Sequence, residues 1–172
     1  RQLRNDVPVL VRTEDDALHL LEAGADKVSV NTAAGERPEL LGEIAGRFGR
    51  QCCVLAIDAA RRNGRFEVLV KGGREGTGID ALAWVREAEQ RGAGEILLTS
   101  WDRDGTRSGY DLELTRAVAE AVRVPIIASG GADSAEHIRE AFAAGAAAVL
   151  AASIFHDGAP TVGAVKLYLM EH

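Results

Sequence analysis

Two short stretches of this sequence place reactive groups at the ends of apolar runs. Ser129-Gly130-Gly131-Ala132 follows the β-rich letters Pro125 to Ala128 and precedes a helix cap at Ser134. Glycines there let backbone N–H groups approach an anion with no Cβ in the way, so the segment reads as a phosphate cradle. Ser153, just past the next apolar run, is placed to add a hydroxyl to the same anion. The alternative is a tight turn of small residues. Asp58 ends the run Val54-Leu55-Ala56-Ile57, which sets one carboxylate at the tip of a buried strand. Partial desolvation there raises a carboxylate toward general acid/base use. The competing reading has Asp58 capping the turn Ala59 to Arg62 or pairing with Arg61.

Asn31 and Thr32, after Ser29-Val30, either donate to a second anion or cap the following helix. Asp102-Arg103-Asp104-Gly105 opens a polar loop that runs to Tyr110 and is long enough to close over a ligand. It does not read as a calcium loop, because the glycine comes two residues early. His19, His137, His156 and His172 lack metal-ligand spacing, so no metal is expected. Trp84 and Phe142 fall on helix faces and read as core packing.

The elements that must carry these groups alternate as βα units, the pattern of a parallel sheet. Strands are expected near Val7 to Val11, Lys27 to Val30, Cys52 to Ile57, Glu95 to Thr99, Pro125 to Ala128 and Ala147 to Ala151. Helices fit Glu14 to Ala23, Pro38 to Phe48, Ile79 to Arg91, Leu112 to Val122, Ser134 to Ala143 and Thr161 to Glu171. Phe66 to Val70, after Asn63-Gly64, reads as a hairpin arm. Gly24-Ala25, Gly92-Ala93 and Gly145-Ala146 each close a helix and lead into a strand, so one unit is reused. The Val-Pro starts at Val7 and Val124 lie 117 residues apart, and the ends at Gly24 and Gly145 lie 121 apart. The earlier copy is therefore four residues shorter, at the place where the later copy carries its glycines.

The expected fold is an α/β, incomplete TIM (βα)8-type barrel of about six βα units with parallel strands, forming one domain over residues 1–172. A complete barrel of this type takes about 200 residues or more. A net charge of −6, with no run of five like charges, argues against nucleic acid and a polybasic membrane patch as partners. No stretch of about 18 apolar residues suggests a membrane span. Cys52 and Cys53 are adjacent in an apolar run and read as buried, reduced residues of a cytoplasmic protein.

The segments from Gly24 to Ala34, Ala56 to Ala59, Gly92 to Ser100, Asp102 to Thr106 and Ile127 to Gly131 closely resemble the cyclase subunit of imidazole glycerol phosphate synthase, in one continuous order from about Val7 onward. The phosphoribosyl isomerase of histidine synthesis shares the half-barrel duplication but fits these motifs less well. The resemblance implies a lyase of histidine biosynthesis that takes ammonia from a glutaminase partner and cleaves and cyclises a ribulosyl-formimino carboxamide nucleotide carrying two phosphates. It needs no cofactor. By the same resemblance Asp58 is one of two catalytic aspartates. Gly130, Gly131, Ala132, Ala152 and Ser153 hold one phosphate with Asp104 and Gly105 nearby, while Asn31 and Thr32 serve the other. Lys27 and Glu95 belong to the charged gate for ammonia, with Asp26 and Gln51 near the glutaminase. The chain departs from the family pattern in its first two βα units, which hold the other aspartate and the remaining gate charges. The third strand also lacks the family's glycine-rich loop. The chain then corresponds to the third to eighth units, with impaired activity and unpaired sheet edges relieved by self-association. A non-catalytic phosphate-binding or scaffold fragment, natural or engineered, is the alternative.

Overall fold

The computed structural model describes residues 11–156 and 160–172. The strand expected at Val7 to Val11, with the earlier Val-Pro start, lies outside the described residues except for Val11, which is buried. In chain order the elements are α1 (Glu14–Glu22), β1 (Val28–Val30), α2 (Thr32–Glu36), α3 (Glu39–Phe48), a 3-10 turn (Arg50–Cys52), β2 (Cys53–Arg62), β3 (Arg65–Val70), β4 (Glu75–Asp80), α4 (Ala81–Arg91), β5 (Glu95–Ser100), α5 (Leu112–Ala121), β6 (Ile126–Ser129), α6 (Ala135–Ala143), β7 (Ala148–Leu150), α7 (Ser153–His156) and α8 (Val162–Glu171).

Five strands run parallel in the order β1-β2-β5-β6-β7, each joined to the next through at least one helix. This is an α/β fold built as part of a TIM-type barrel. The repeated Gly-Ala pair explains how one unit is reused. The N–H of Ala25, Ala93 and Ala146 reaches back to the carbonyl five residues earlier, of Leu20, Ala88 and Ala141, at 3.0, 2.9 and 3.1 Å. The preceding glycines sit at φ 100, 117 and 105°, a backbone that other residues adopt only with strain. Helix starts are equally local: Thr13, Asp80, Asp111, Ser134 and Thr161 each accept a backbone N–H three residues on.

Alternate strand residues face the helices. Val30, Leu55, Ile57, Ile96, Leu98 and Ile126 pack with Leu40, Leu41 and Ile44 of α3, Trp84 and Val85 of α4, and Leu114 and Val118 of α5. Leu41 is fully buried, and truncating it to alanine costs about 2–5 kcal/mol. The opposite face of the sheet is less covered: Ala56, Leu97 and Ile127 are half-buried, and Leu150 is 48% exposed.

Several expectations need correction. The hairpin arm β3 pairs antiparallel with the end of β2, which runs on past Ile57 to Arg62, and a further strand, β4, pairs antiparallel with β3 through a register shift between Glu67 and Leu69, so α4 starts at Ala81 rather than Ile79. Asp80 is both the last residue of β4 and the cap of α4, which fixes the boundary. Cys52 lies in the 3-10 turn and is only half-buried, whereas Cys53 is buried in β2; both are free. Phe142 is 40% exposed rather than core, while Trp84 is buried as expected. α2, α7 and the 3-10 turn had no counterpart in the sequence reading.

Candidate functional site

Parallel register sets one residue from each of four strands in a row. Asp58 of β2 pairs with Thr99 of β5, Thr99 with Ser129 of β6, and Ser129 with Leu150 of β7. Their neighbours Ile57, Leu98 and Ala128 are buried among apolar side chains beneath the helices. By the twofold alternation of strands, the row therefore points to the other face. Ser129 and Leu150 end their strands, Thr99 lies one residue from the end of β5, and Asp58 lies one residue from where the parallel pairing of β2 stops, the end of the sheet at which a barrel carries its active-site loops.

Asp58 is half-buried in this row. The Asn31 side chain donates to its Oδ2 at 3.2 Å. Burial pushes the Asp58 carboxyl above the ordinary carboxylate range; the Asn31 bond opposes the shift, and the nearby charge of Asp104 adds to it. Arg61, the competing partner in the sequence reading, instead contacts Glu113 and lies over the Phe66 ring, 4.5 Å from its centroid. Asn31 occupies the N-cap position of α2 but makes no side-chain cap bond, so it does not cap that helix. Thr32 is the first residue of α2.

The loops after β5, β6 and β7 enclose one pocket, lined by Asp104, Gly105 and Arg107, by Ser129 to Ala132, and by Leu150 to Ser153. Its free volume is about 60 Å³, against roughly 10–15 Å³ for a single water, which leaves room for a small anion. Gly130 and Gly131 have φ 95 and 94°, and both are packed from one side. A Cβ on Gly130 would lie 2.8 Å from the Ser100 carbonyl oxygen, and one on Gly131 would overlap the Gly109 carbonyl. The Gly109 N–H donates to the Gly131 carbonyl at 2.8 Å, so the long polar loop is already folded against the cradle. Arg107 brings a positive charge to the pocket and lies 3.8 Å from the Asp133 carboxylate.

Lys27 and Glu95 are paired at the opposite end of the sheet, with side chains 45% and 20% exposed. Val54, four residues before Asp58, pairs with Glu95, so about 13 Å of strand separates this pair from the row above. Asp26 is exposed near the same end, and the Gln51 amide donates to the Phe48 carbonyl at 3.3 Å. Among the described residues no cluster of His, Cys, Asp or Glu could hold a metal, and no helix is long and apolar enough to cross a membrane.

The sequence reading missed Thr99, Arg107 and Tyr110. Thr99 was legible as the last residue expected in its strand, level with Asp58 once the parallel order is set. Arg107 gave no signal beyond its charge. Tyr110 was read only as the end of a loop, yet it is 3% exposed and donates its hydroxyl to the Leu150 carbonyl at 3.0 Å.

Residues 7–161 match the family described as histidine biosynthesis protein. The chain is similar to imidazole glycerol phosphate synthase subunit HisF of Myxococcus xanthus, 60% identical over 94% of this chain and 64% of that protein. The same subunit of Pyrobaculum aerophilum is 58% identical over 96% of this chain and 67% of its own length. That of Streptomyces avermitilis is 61% identical over 91% and 62%. The chain thus spans about two thirds of the length of these relatives. The matched stretch carries Asp58 and the Gly130-Gly131 cradle alike, and on that match the chain belongs to the histidine biosynthesis protein family.

Proposed function

We propose that the chain performs the cyclase chemistry of imidazole glycerol phosphate synthase: ammonia-dependent cleavage and ring closure of a ribulosyl-formimino carboxamide nucleotide bearing two phosphates. The carrying observation is Asp58, held by Asn31 in the same row as Thr99 and Ser129, two strands from a glycine-lined pocket, in a chain about 60% identical to subunits of that synthase. A half-buried carboxylate pushed above its ordinary range is better suited than a free one to general acid or base work. In this reading Asp58 is the catalytic acid or base. Gly130, Gly131, Ala132, Ala152 and Ser153 hold one phosphate, with Asp104 and Gly105 at its rim. Asn31 and Thr32 serve the second phosphate, so Asn31 links that phosphate to the carboxylate it already bonds.

Lys27 and Glu95 form part of the entry gate for ammonia, supplied by a glutaminase that docks where Asp26 and Gln51 lie. Residues 1–172 form one domain equivalent to the third to eighth βα units of the barrel and work in the cytoplasm. These residues alone supply one aspartate of the catalytic pair, so their activity by themselves is weak. Losing one general acid or base costs roughly 100- to 10,000-fold in rate. The scaffold alternative is not favoured, because the relatives named above are all subunits of the synthase.

The direct test supplies the nucleotide and an ammonium salt and follows imidazole glycerol phosphate by chromatography. Slow product formation that Asp58→Asn lowers by about 100-fold or more supports the reading. No product at any ammonium concentration, or equal rates for the two proteins, refutes it.

A further inference from the structure

We infer that Tyr110 is a positioning residue for the anion pocket: its hydroxyl ties the loop after β5 to the last carbonyl of β7, so that opposite walls of the pocket move as one. This rests on the reading of the pocket as a phosphate site. The loop from Trp101 to Tyr110 is mostly exposed, yet its end is anchored. Tyr110 is 3% exposed and packs in one cluster with Ala128, Ala132, Ile138 and Ile154, side chains from the strand, loop and helices around the pocket. Its hydroxyl donates 3.0 Å to the Leu150 carbonyl, and Leu150 begins the segment 150–153 that forms the far wall.

One residue earlier, the Gly109 N–H donates 2.8 Å to the Gly131 carbonyl at the middle of the cradle. Two consecutive residues of one loop therefore hold two other loops. Burial pushes the phenol up to about 12, so the hydroxyl stays a donor across the working pH range. The Ser100 hydroxyl donates 3.0 Å to Asp111 Oδ2, and Asp111 caps α5 through the Leu114 N–H, which fixes the chain on the other side of Tyr110. The tyrosine is thus held by its own backbone, and the β7 end is held by the tyrosine. An anion bound between Gly131 and Ser153 draws on both walls at once. Its affinity is therefore coupled to the strut, and the strut to the anion.

Two measurements on the 172-residue protein test this, with inorganic phosphate as the probe and sodium chloride at matched ionic strength as the blank. In the unaltered protein, phosphate should slow hydrogen exchange at the Gly109 and Tyr110 amides as well as at Gly131. Slowing at Gly131 with none at Gly109 and Tyr110 overturns the coupling and leaves the pocket assignment standing. Absence of any phosphate response at Gly130, Gly131 and Ser153 overturns the pocket assignment and the inference with it. Tyr110→Phe keeps the ring and removes only the hydroxyl. Phosphate titrations followed by the amide shifts of Gly130 and Gly131 should show its Kd raised about three- to tenfold, the worth of one hydrogen bond. Leu41→Ala, which loosens the core beneath α3, controls for lost stability and should leave Kd within twofold at a temperature well below its Tm. An unchanged Kd in Tyr110→Phe, or an equal rise in Leu41→Ala, overturns the inference.

Discussion

Three glycines separate backbone strain from steric overlap and show how firmly the cradle is packed. Gly64, in the Asn63-Gly64 hairpin turn, has φ +79°, and a Cβ there would meet nothing within 4 Å. Gly64→Ala should therefore cost only the positive-φ penalty of about 1–2 kcal/mol, partly offset by the stiffer unfolded chain. Gly94 is the converse: its φ lies outside the left-handed region, but a Cβ would overlap the Arg50 carbonyl. Gly94→Ala should cost about 1–3 kcal/mol or somewhat more from overpacking. Gly131 combines φ +94° with an overlap on the Gly109 carbonyl, and a further approach of 3.1 Å to Arg103 Cβ. Its alanine variant should lose about 3–4 kcal/mol, roughly the sum of the two kinds. At about 2–4 °C per kcal/mol for a domain of this size, Tm falls by roughly 10 °C for Gly131→Ala and about 3 °C for Gly64→Ala. Calorimetry measures the three melting temperatures, and titration with inorganic phosphate well below each Tm measures binding. Only Gly131→Ala should lose phosphate affinity, by at least about tenfold. If Gly131→Ala melted with Gly64→Ala, the loop after β5 would not be pressed against the cradle. If Gly94→Ala lost phosphate to the same extent, the effect would be global and the local reasoning wrong.

The Asp58 carboxylate makes a prediction of opposite sign. Because burial and Asp104 raise Asp58 in the folded state, the folded protein holds that proton more tightly than the unfolded chain. Its contribution to stability is fully present below the ordinary aspartate range and is lost as pH rises through the folded value. Asp58→Asn should accordingly unfold at a higher denaturant concentration than the parent at pH 7, with the difference vanishing near pH 3; a less stable variant at pH 7 would contradict the assigned environment. Removing the opposing bond in Asn31→Ala should shift the acid side of the rate profile to higher pH. The sparsely covered sheet face, with Leu150 48% exposed and Ile127 half-buried, should drive concentration-dependent association in light scattering at micromolar protein; a stable 18 kDa monomer that binds no apolar dye would exclude it.

What the letters disclosed was whatever is decided within a few residues. The three Gly-Ala pairs are legible because the helix ending they make is local: one positive-φ residue and one backward hydrogen bond. At Gly92 a Cβ would approach Ala45 Cβ to 2.6 Å, and at Gly145 it would approach Ala119 Cβ to 2.7 Å. The strand β4 was not legible, because Glu75-Gly76-Thr77-Gly78-Ile79-Asp80 lacks apolar alternation and carries two glycines. Pairing with β3 makes it a strand, and Glu67 holds it there by accepting the Gly78 N–H at 2.8 Å. Phe142 shows the same limit on a helix. Ile138 and Ala141 mark the buried face of α6, but Phe142 at its margin borders an apolar hollow shared with Phe155 and Val162, which no pattern within α6 could show to be open.

The row Asp58-Thr99-Ser129 owes its existence to residues that take no part in chemistry. Each member ends an apolar run, which is how Asp58 and Ser129 came to be singled out separately, but their alignment depends on register between strands far apart in sequence. That register is set from the helix side, where Ile57, Leu98 and Ala128 pair across β2, β5 and β6, all 2% exposed or less. A slip of one residue in β2 would turn Asp58 toward Leu41 and Val85 and bring Ile57 to the open face. The slipped state would desolvate a carboxylate with no hydrogen-bond donor and expose about a full isoleucine, worth several kcal/mol together. The apolar packing beneath the sheet therefore fixes where the carboxylate stands relative to the glycine cradle, and a core substitution that loosens the pairing of β2 with β5 should displace Asp58 while the cradle after β6 still binds phosphate.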